Sequence, residues 1–116
     1  MPIIVVKDSI EREELKRIAK KQFGDLVKAV VDVEQGIMAV GGELHSDEEV
    51  SLMEQENSNR EYTWGINLYP EKTGDSWIEF DSLINLKPSF GNRSQGVDNL
   101  AVQEKIRKIV EKLVSK

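Results

Sequence analysis

The residues best equipped for chemistry fall in three short stretches, and the first is Gly41-Gly42-Glu43-Leu44-His45-Ser46-Asp47. Side chains alternate along an extended chain, which turns Glu43, His45 and Asp47 the same way. A carboxylate and an imidazole about 7 Å apart on one strand face can share a cation or form an acid–base pair. The two glycines would let a ligand approach the backbone. His45 is the only histidine and there is no cysteine. Catalytic zinc usually takes two or three histidines, so manganese, magnesium or calcium on mostly oxygen ligands suits this stretch better. The plainer reading is a strand end running into a solvated helix start.

The second stretch is Ser76 to Lys87, which reads as one long strand. Alternation puts Trp77, Glu79, Asp81, Leu83, Asn85 and Lys87 on one face and Ile78, Phe80, Ile84 and Leu86 on the other, the core face. Asn67, on a preceding strand, faces the same polar side. Two carboxylates beside a tryptophan are raw material for a cation or sugar-like site, although such alternation is also ordinary in a half-exposed antiparallel sheet. With Glu43 and His45, Glu79 and Asp81 would complete a four-residue cation site. The third stretch is Gly91-Asn92-Arg93-Ser94-Gln95-Gly96, where Asn92, Arg93 and Ser94 precede a helix start, the ingredients of an anion nest. It matches neither the dinucleotide nor the P-loop spacing, Asp98 would compete for the same amides, and a simple turn explains it as well.

Elements to position these residues follow from the patterning of a 116-residue chain, the size of one domain over 1–116. Ile3 to Val6 is a β-branched opening strand. Asp8 and Glu11 form a capping-box pattern ahead of a helix whose stripe is Leu15, Ile18, Ala19 and Phe23, with Gly24 as the stop. Val27, Ala29, Val31 and Val33 share a strand face, and Glu34-Gln35-Gly36 turns the chain into a second strand, Ile37 to Val40, because glycine supplies the positive φ of such a turn. Ser46 to Glu54 reads as a short helix, Gln55 to Glu61 as a loop and Tyr62 to Tyr69 as a strand, joined by a turn at Pro70 to Asp75 to the long strand. Pro88 to Val97 is a loop. A final helix, capped by Asp98 or Asn99, carries Val102, Ile106, Ile109, Val110, Leu113 and Val114 at spacings of three and four. The expected architecture is α+β: a mainly antiparallel sheet of four or five strands, with N-terminal and C-terminal helices packed on one face and a polar face opposite.

Charge is unevenly spread. The net value is −5, yet residues 43–81 carry eleven carboxylates against Arg60 and Lys72, while residues 82–116 carry seven bases against three acids. An acidic middle repels phosphate backbones, so nucleic acid is disfavoured as a partner. The basic end is mostly the second half of the last helix, where the dipole favours cations. No apolar run approaches the roughly 20 residues of a membrane span, and Met1 to Lys7 is too short for a signal peptide, so a cytoplasmic, membrane-free protein is expected. Without cysteine there is no thiolate nucleophile, metal site or disulfide, and no G-x-S-x-G, H-E-x-x-H or EF-hand pattern occurs.

Three runs resemble an uncharacterised family of roughly 110-residue prokaryotic proteins, classed as a domain of unknown function. They are Phe23-Gly-Asp with VKAVVDVEQGIMAVGGELHSDEE (Val27 to Glu49), WGINLYPEKTGD (Trp64 to Asp75) and IEFDSLINLKPSFGNRSQGV (Ile78 to Val97). The resemblance implies one small domain and supplies no catalytic residue. Residue chemistry alone therefore points to a binding or interaction module without catalysis or cofactor, for an unknown small ligand or protein partner, as a homodimer in one version. The competing expectation is a metal-dependent hydrolase or transferase using Glu43, His45, Glu79 and Asp81. Ligand-binding candidates are those four with Asn67, Asn85, Asn92, Arg93 and Ser94.

Overall fold

The computed structural model describes residues 2–116. A five-stranded antiparallel sheet forms its centre, in the order β1 (Ile4–Val6), β4 (Ile37–Val40), β3 (Val27–Asp32), β5 (Thr63–Leu68) and β6 (Ile78–Glu79). The helices are α1 (Arg12–Lys21), α2 (His45–Glu56) and α3 (Leu100–Leu113). A small parallel pair joins β2 (Ile10–Glu11) to β7 (Val114–Ser115), tying the entry of α1 to the exit of α3. Among the described residues no helix is long and apolar enough to cross a membrane.

Register explains the layering. Ala29 lies opposite Val40 on one side and Ile66 on the other, and Val31 lies opposite Met38 and Trp64. These side chains share a face, and Leu15, Ile18 and Ala19 of α1 with Ile106, Val110 and Leu113 of α3 bury it. The two terminal helices therefore share one face, as their apolar stripes demand. The β3–β4 turn also forms as expected: Asp32 pairs with Ile37, and Gly36 has φ +71°. Asp32 closes it, its carboxylate accepting from the backbone N–H groups of Glu34 and Gln35 and from the Ser58 hydroxyl.

Three expectations are corrected. The opposite sheet face is not left open, because α2 is a twelve-residue helix that seats Leu52 on Val30, Ile37, Ala39 and Ile84. The first helix starts at Arg12 rather than behind an Asp8 cap, since pairing with β7 holds Ile10 and Glu11 extended and buries Ile10. Of the two caps expected for the final helix, Asn99 is the one used: its Oδ1 accepts from the Ala101 N–H at 2.8 Å, while Asp98 serves the loop before it.

The largest correction concerns Ser76 to Lys87. Only Ile78 and Glu79 pair with β5; short 3-10 turns occupy Gly74–Trp77, Leu83–Asn85 and Pro88–Phe90. Trp77 belongs to the core, with the Arg12 guanidinium 4.0 Å above its ring, instead of facing solvent beside Glu79. Leu83 and Leu86, expected inside or on a strand, are exposed, whereas Asn85 and Lys87 are buried. The reason lies along the edge of β5. The Asn85 carboxamide accepts from Gly65 N–H and donates to Gly65 C=O, and the Lys87 ammonium donates to Thr63 C=O at 2.7 Å. Polar side chains thus make the hydrogen bonds that a continued strand would have made with its backbone.

Candidate functional site

The sheet face covered by α2 carries polar as well as apolar positions, because Lys28 lies opposite Asn67, and Asn67 opposite Glu79. Where α2 begins, it leaves this face partly uncovered. A cleft of about 420 Å³ opens there, lined by Lys28 of β3, Leu44 to Ser46 at the start of α2, Asn67 of β5, Asp81 to Ile84, and Gln95. Its far wall exists because the chain leaves the sheet after Glu79 and climbs over β5. Gly65 allows the crossing: a Cβ there would lie 2.5 Å from the Ser82 Cβ.

His45 is half-buried at the first turn of α2, with Nε2 2.8 Å from the Ile66 carbonyl. A carbonyl only accepts, so Nε2 carries the hydrogen and Nδ1 of the neutral ring keeps a lone pair. Burial, with a smaller push from the Lys28 charge, lowers the imidazole below its usual value, so the ring is neutral at pH 7. Asn67 is buried and its orientation is locked: Nδ2 donates to Glu79 Oε1 at 2.9 Å and to Asp81 C=O at 3.4 Å. Its Oδ1 has essentially no accessible surface and, among the described residues, no close hydrogen-bond partner, although the amide interacts with the His45 ring.

Lys28 forms no ion pair among the described residues, and its Nζ lies 5.0 Å from the Phe23 ring centroid. Burial raises the nearby Glu48 carboxyl well above the usual carboxylate range, against the pull of the Gly42 N–H, which donates to Oε2 at 2.8 Å, and of the Lys28 charge. The start of α2 has no side-chain cap. Lys28, the exposed carboxylate of Asp81, a neutral imidazole and the Asn67 side chain therefore line one cleft, with Leu44 and Leu83 as exposed apolar rims.

Of the residues expected from sequence, His45, Asn67 and Asp81 meet in this cleft. Glu43 is exposed outside the lining, and Glu79 sits behind Asn67, where it also accepts from the Tyr69 hydroxyl. Among the described residues no three His, Asp or Glu side chains are grouped to hold a metal ion, so Glu43, His45, Glu79 and Asp81 are not one cluster. Asn85 and Asn92 are structural: Asn92 Nδ2 donates to the carbonyls of Asn85, Ser94 and Gly96, and its Oδ1 accepts from Asp98 N–H. Arg93 and Ser94 belong to the loop that Asp98 occupies, accepting from Arg93 N–H and the Ser94 hydroxyl; those bonds hold the Asp98 carboxyl below its usual range. That carboxylate fills the place an anion would take. Asn92 and Asp98 also line a second hollow of about 360 Å³ beside Trp64 and Phe90.

Sequence reasoning missed Lys28, Ser82 and Gln95. Lys28 carries a readable signal, a lone cation in the run Val27 to Val31; Ser82 and Gln95 carry none. The family model for a protein of unknown function (DUF5674) matches residues 4–113, and the chain belongs to that family. No curated protein and no solved structure matches the sequence.

Proposed function

We propose that the chain is a binding module for a small polar ligand, and that the cleft between the start of α2 and residues Asp81 to Ile84 is its site. The observation that carries this is the cleft itself, which brings the polar side chains of Lys28, His45, Asn67 and Asp81 together from separate parts of the chain. The volume suits a small metabolite, and convergent polar groups between apolar rims are the usual build of such a site. Binding is favoured over catalysis because Ser82, the hydroxyl in the lining, accepts from Ile84 N–H and shares no hydrogen bond with His45 among the described residues. No nucleophile–base pair is assembled there.

The test is thermal unfolding of the chain against a panel of central metabolites, with amide chemical shifts recorded for each hit. A ligand at 100 times its Kd adds about 2.7 kcal/mol, a rise of many degrees for a chain of this length. Shifts gathered at Lys28, His45, Asn67 and Ser82 support the reading. Hits that perturb only residues elsewhere refute it.

A further inference from the structure

α2 and the chain from Asp81 to Lys87 run along β5 in the same direction. His45 meets the Ile66 carbonyl and Glu49 accepts from the Thr63 hydroxyl. On the other side Asn67 Nδ2 donates to Asp81 C=O, Asn85 bonds Gly65, and Lys87 donates to Thr63 C=O. The two segments therefore lie side by side from the Asn67 end of β5 to its Thr63 end, with Leu52 and Ile84 joined in the apolar cluster beneath. Helix spacing puts Ser46, Val50 and Met53 on one stripe of α2, and Ser46 lines the cleft with Leu83. On the other bank Leu86 N–H donates to Leu83 C=O at 3.1 Å, closing a 3-10 turn, and residues three apart in such a turn project the same way.

Along these two banks Leu44, Val50, Met53, Leu83 and Leu86 are 41–71% exposed, five of the eight large apolar side chains so exposed among the described residues. Single exposed leucines are ordinary, but five gathered on two adjacent segments mark an interaction surface. Its charge decides what can cover it. Residues 43–59 hold six carboxylates and no Lys or Arg. Glu48 and Glu49 are buried and Glu56 pairs with Lys7, which leaves Glu43, Asp47 and Glu54 exposed and, among the described residues, without an ion pair. Asp47 and Glu54 stand three and four residues from Val50, on the side of the stripe away from Met53. Asp81 is a further exposed carboxylate at the head of the other bank. Two bases adjoin the surface: Lys28 lines the cleft, and Arg60 pairs with Glu49 at 3.8 Å.

We propose that this strip docks a basic amphipathic helix of a protein partner, with its apolar side chains between the banks and its Lys or Arg residues against Asp47, Glu54 and Asp81. From Ser46 to Met53 the α2 bank is about 11 Å long, two turns of a docked helix, whose anchors recur at spacings of three and four. A second copy of the chain does not fit, because two-fold pairing through α2 would set Asp47 and Glu54 against the same acids. An anionic membrane or a nucleic acid meets the same repulsion. The proposal goes beyond the small-ligand reading, since Val50, Met53 and Leu86 lie outside the cleft lining.

The probe is a labelled synthetic helix made of repeated Leu-Lys-Lys-Leu-Leu-Lys-Leu heptads, titrated into the full chain by fluorescence anisotropy. Its controls carry Glu in place of Lys, or Ser in place of Leu. The leucine–lysine helix should bind one-to-one, and each control about tenfold or more weakly. Met53→Ser with Leu86→Ser should weaken it about tenfold, while Leu100→Ser, at an exposed leucine of α3, leaves it unchanged. Asp47→Asn with Glu54→Gln should weaken it too and flatten its dependence on salt, a second arm that disturbs no apolar packing. Equal binding by the Met53 and Leu86 variant, or by the Glu-bearing helix, overturns the proposal. So does a dimer, or binding to phosphatidylglycerol vesicles, that the same two substitutions abolish, since the face then belongs to a second copy or to a membrane. If the helix fails to bind while a metabolite still perturbs the cleft, this proposal falls and the small-ligand reading stands.

Discussion

Replacing Lys87 with methionine keeps the length and most of the volume of the side chain while deleting its ammonium. That ammonium donates to Arg60 C=O at 2.6 Å and Thr63 C=O at 2.7 Å, reaches Glu61 C=O at 3.5 Å, and sits 3.9 Å from the Trp64 ring centroid. Two close charge-assisted hydrogen bonds at roughly 1.5–3 kcal/mol each and a desolvated cation–π contact near 2 kcal/mol sum to about 5–8 kcal/mol. Against this stands the desolvation of a residue only 2% exposed, several kcal/mol, which the variant no longer suffers. The net expected loss at pH 7 is about 2–4 kcal/mol. The same burial lowers Lys87 from 10.5 to about 8. The unfolded chain then binds more protons than the folded one between those values, so wild-type stability rises with pH across that window and falls back as pH drops toward 8. At about 1.4 kcal/mol per pH unit the full difference would be roughly 3 kcal/mol; halved for residual solvent screening it is about 1.5. Urea midpoints of both proteins at about pH 7 and pH 10 measure this directly, since titrations elsewhere cancel in the difference. A gap below 1 kcal/mol at neutral pH, or one that does not widen in alkali, would refute the account of Lys87 as a desolvated replacement for strand backbone.

Gly36→Val should cost well over 1 kcal/mol from conformation alone, since φ is +71° and nothing lies within 4 Å of the added Cβ; an unchanged denaturation midpoint would reject this. Gly65→Ala should cost about 1–3 kcal/mol, or displace Ser82 and alter ligand binding, because the new methyl meets the Ser82 Cβ; melting curves and amide shifts at Ser82 check it. Glu48→Gln tests a carboxyl whose folded value is raised, so wild-type stability is complete below its ordinary 4.5 and declines as pH rises from there. The variant should gain on the wild type steadily between pH 5 and 8 in denaturant titrations; a constant difference would show that Glu48 is ionised when buried.

What the sequence makes legible here is local. The turn at Gly36, the Asn99 cap and the stripes of α1 and α3 depend on residues close in sequence and are readable from spacing, except that Phe23, read into the α1 stripe, lies beyond Lys21 and is exposed. The failures share a different cause. Ile10 and Glu11 look like a helix start until Val114 and Ser115, about a hundred positions away, hold them extended. Ser46 to Glu56 looks weakly amphipathic because two of its buried positions are Glu48 and Glu49, the first accepting from Gly42 N–H and the second from the Thr63 hydroxyl. A buried carboxyl reads as a surface residue until its partner is known. For the site, His45, Asn67 and Asp81 were visible as chemistry-bearing residues. Which of the nine candidates converge depended on where the chain leaves the sheet, and the pattern of alternation hides that point.

Alternation between Glu79 and Lys87 is nonetheless informative once the edge of β5 is considered. A strand edge must satisfy its N–H and C=O groups, and the polar residues at 79, 85 and 87 all meet β5 or its neighbours, two of them through side chains. Side chains reach farther than backbone, so the chain bearing them need not run alongside. Freed from the ladder after Glu79, it rises over Gly65, places Ser82 against that glycine and seats Ile84 on the apolar cluster beneath α2. Asp81, Ser82 and Leu83 then stand as a wall facing the start of α2, and the cleft is the space between them. Had 80–87 continued as a regular strand, Asp81 would have paired beside β5 and this wall would not exist. The cleft and the misread strand thus share one cause, the use of Asn85 and Lys87 as backbone substitutes. Loss of the Lys87 and Asn85 contacts should therefore weaken ligand binding as well as stability, although neither residue lines the cleft.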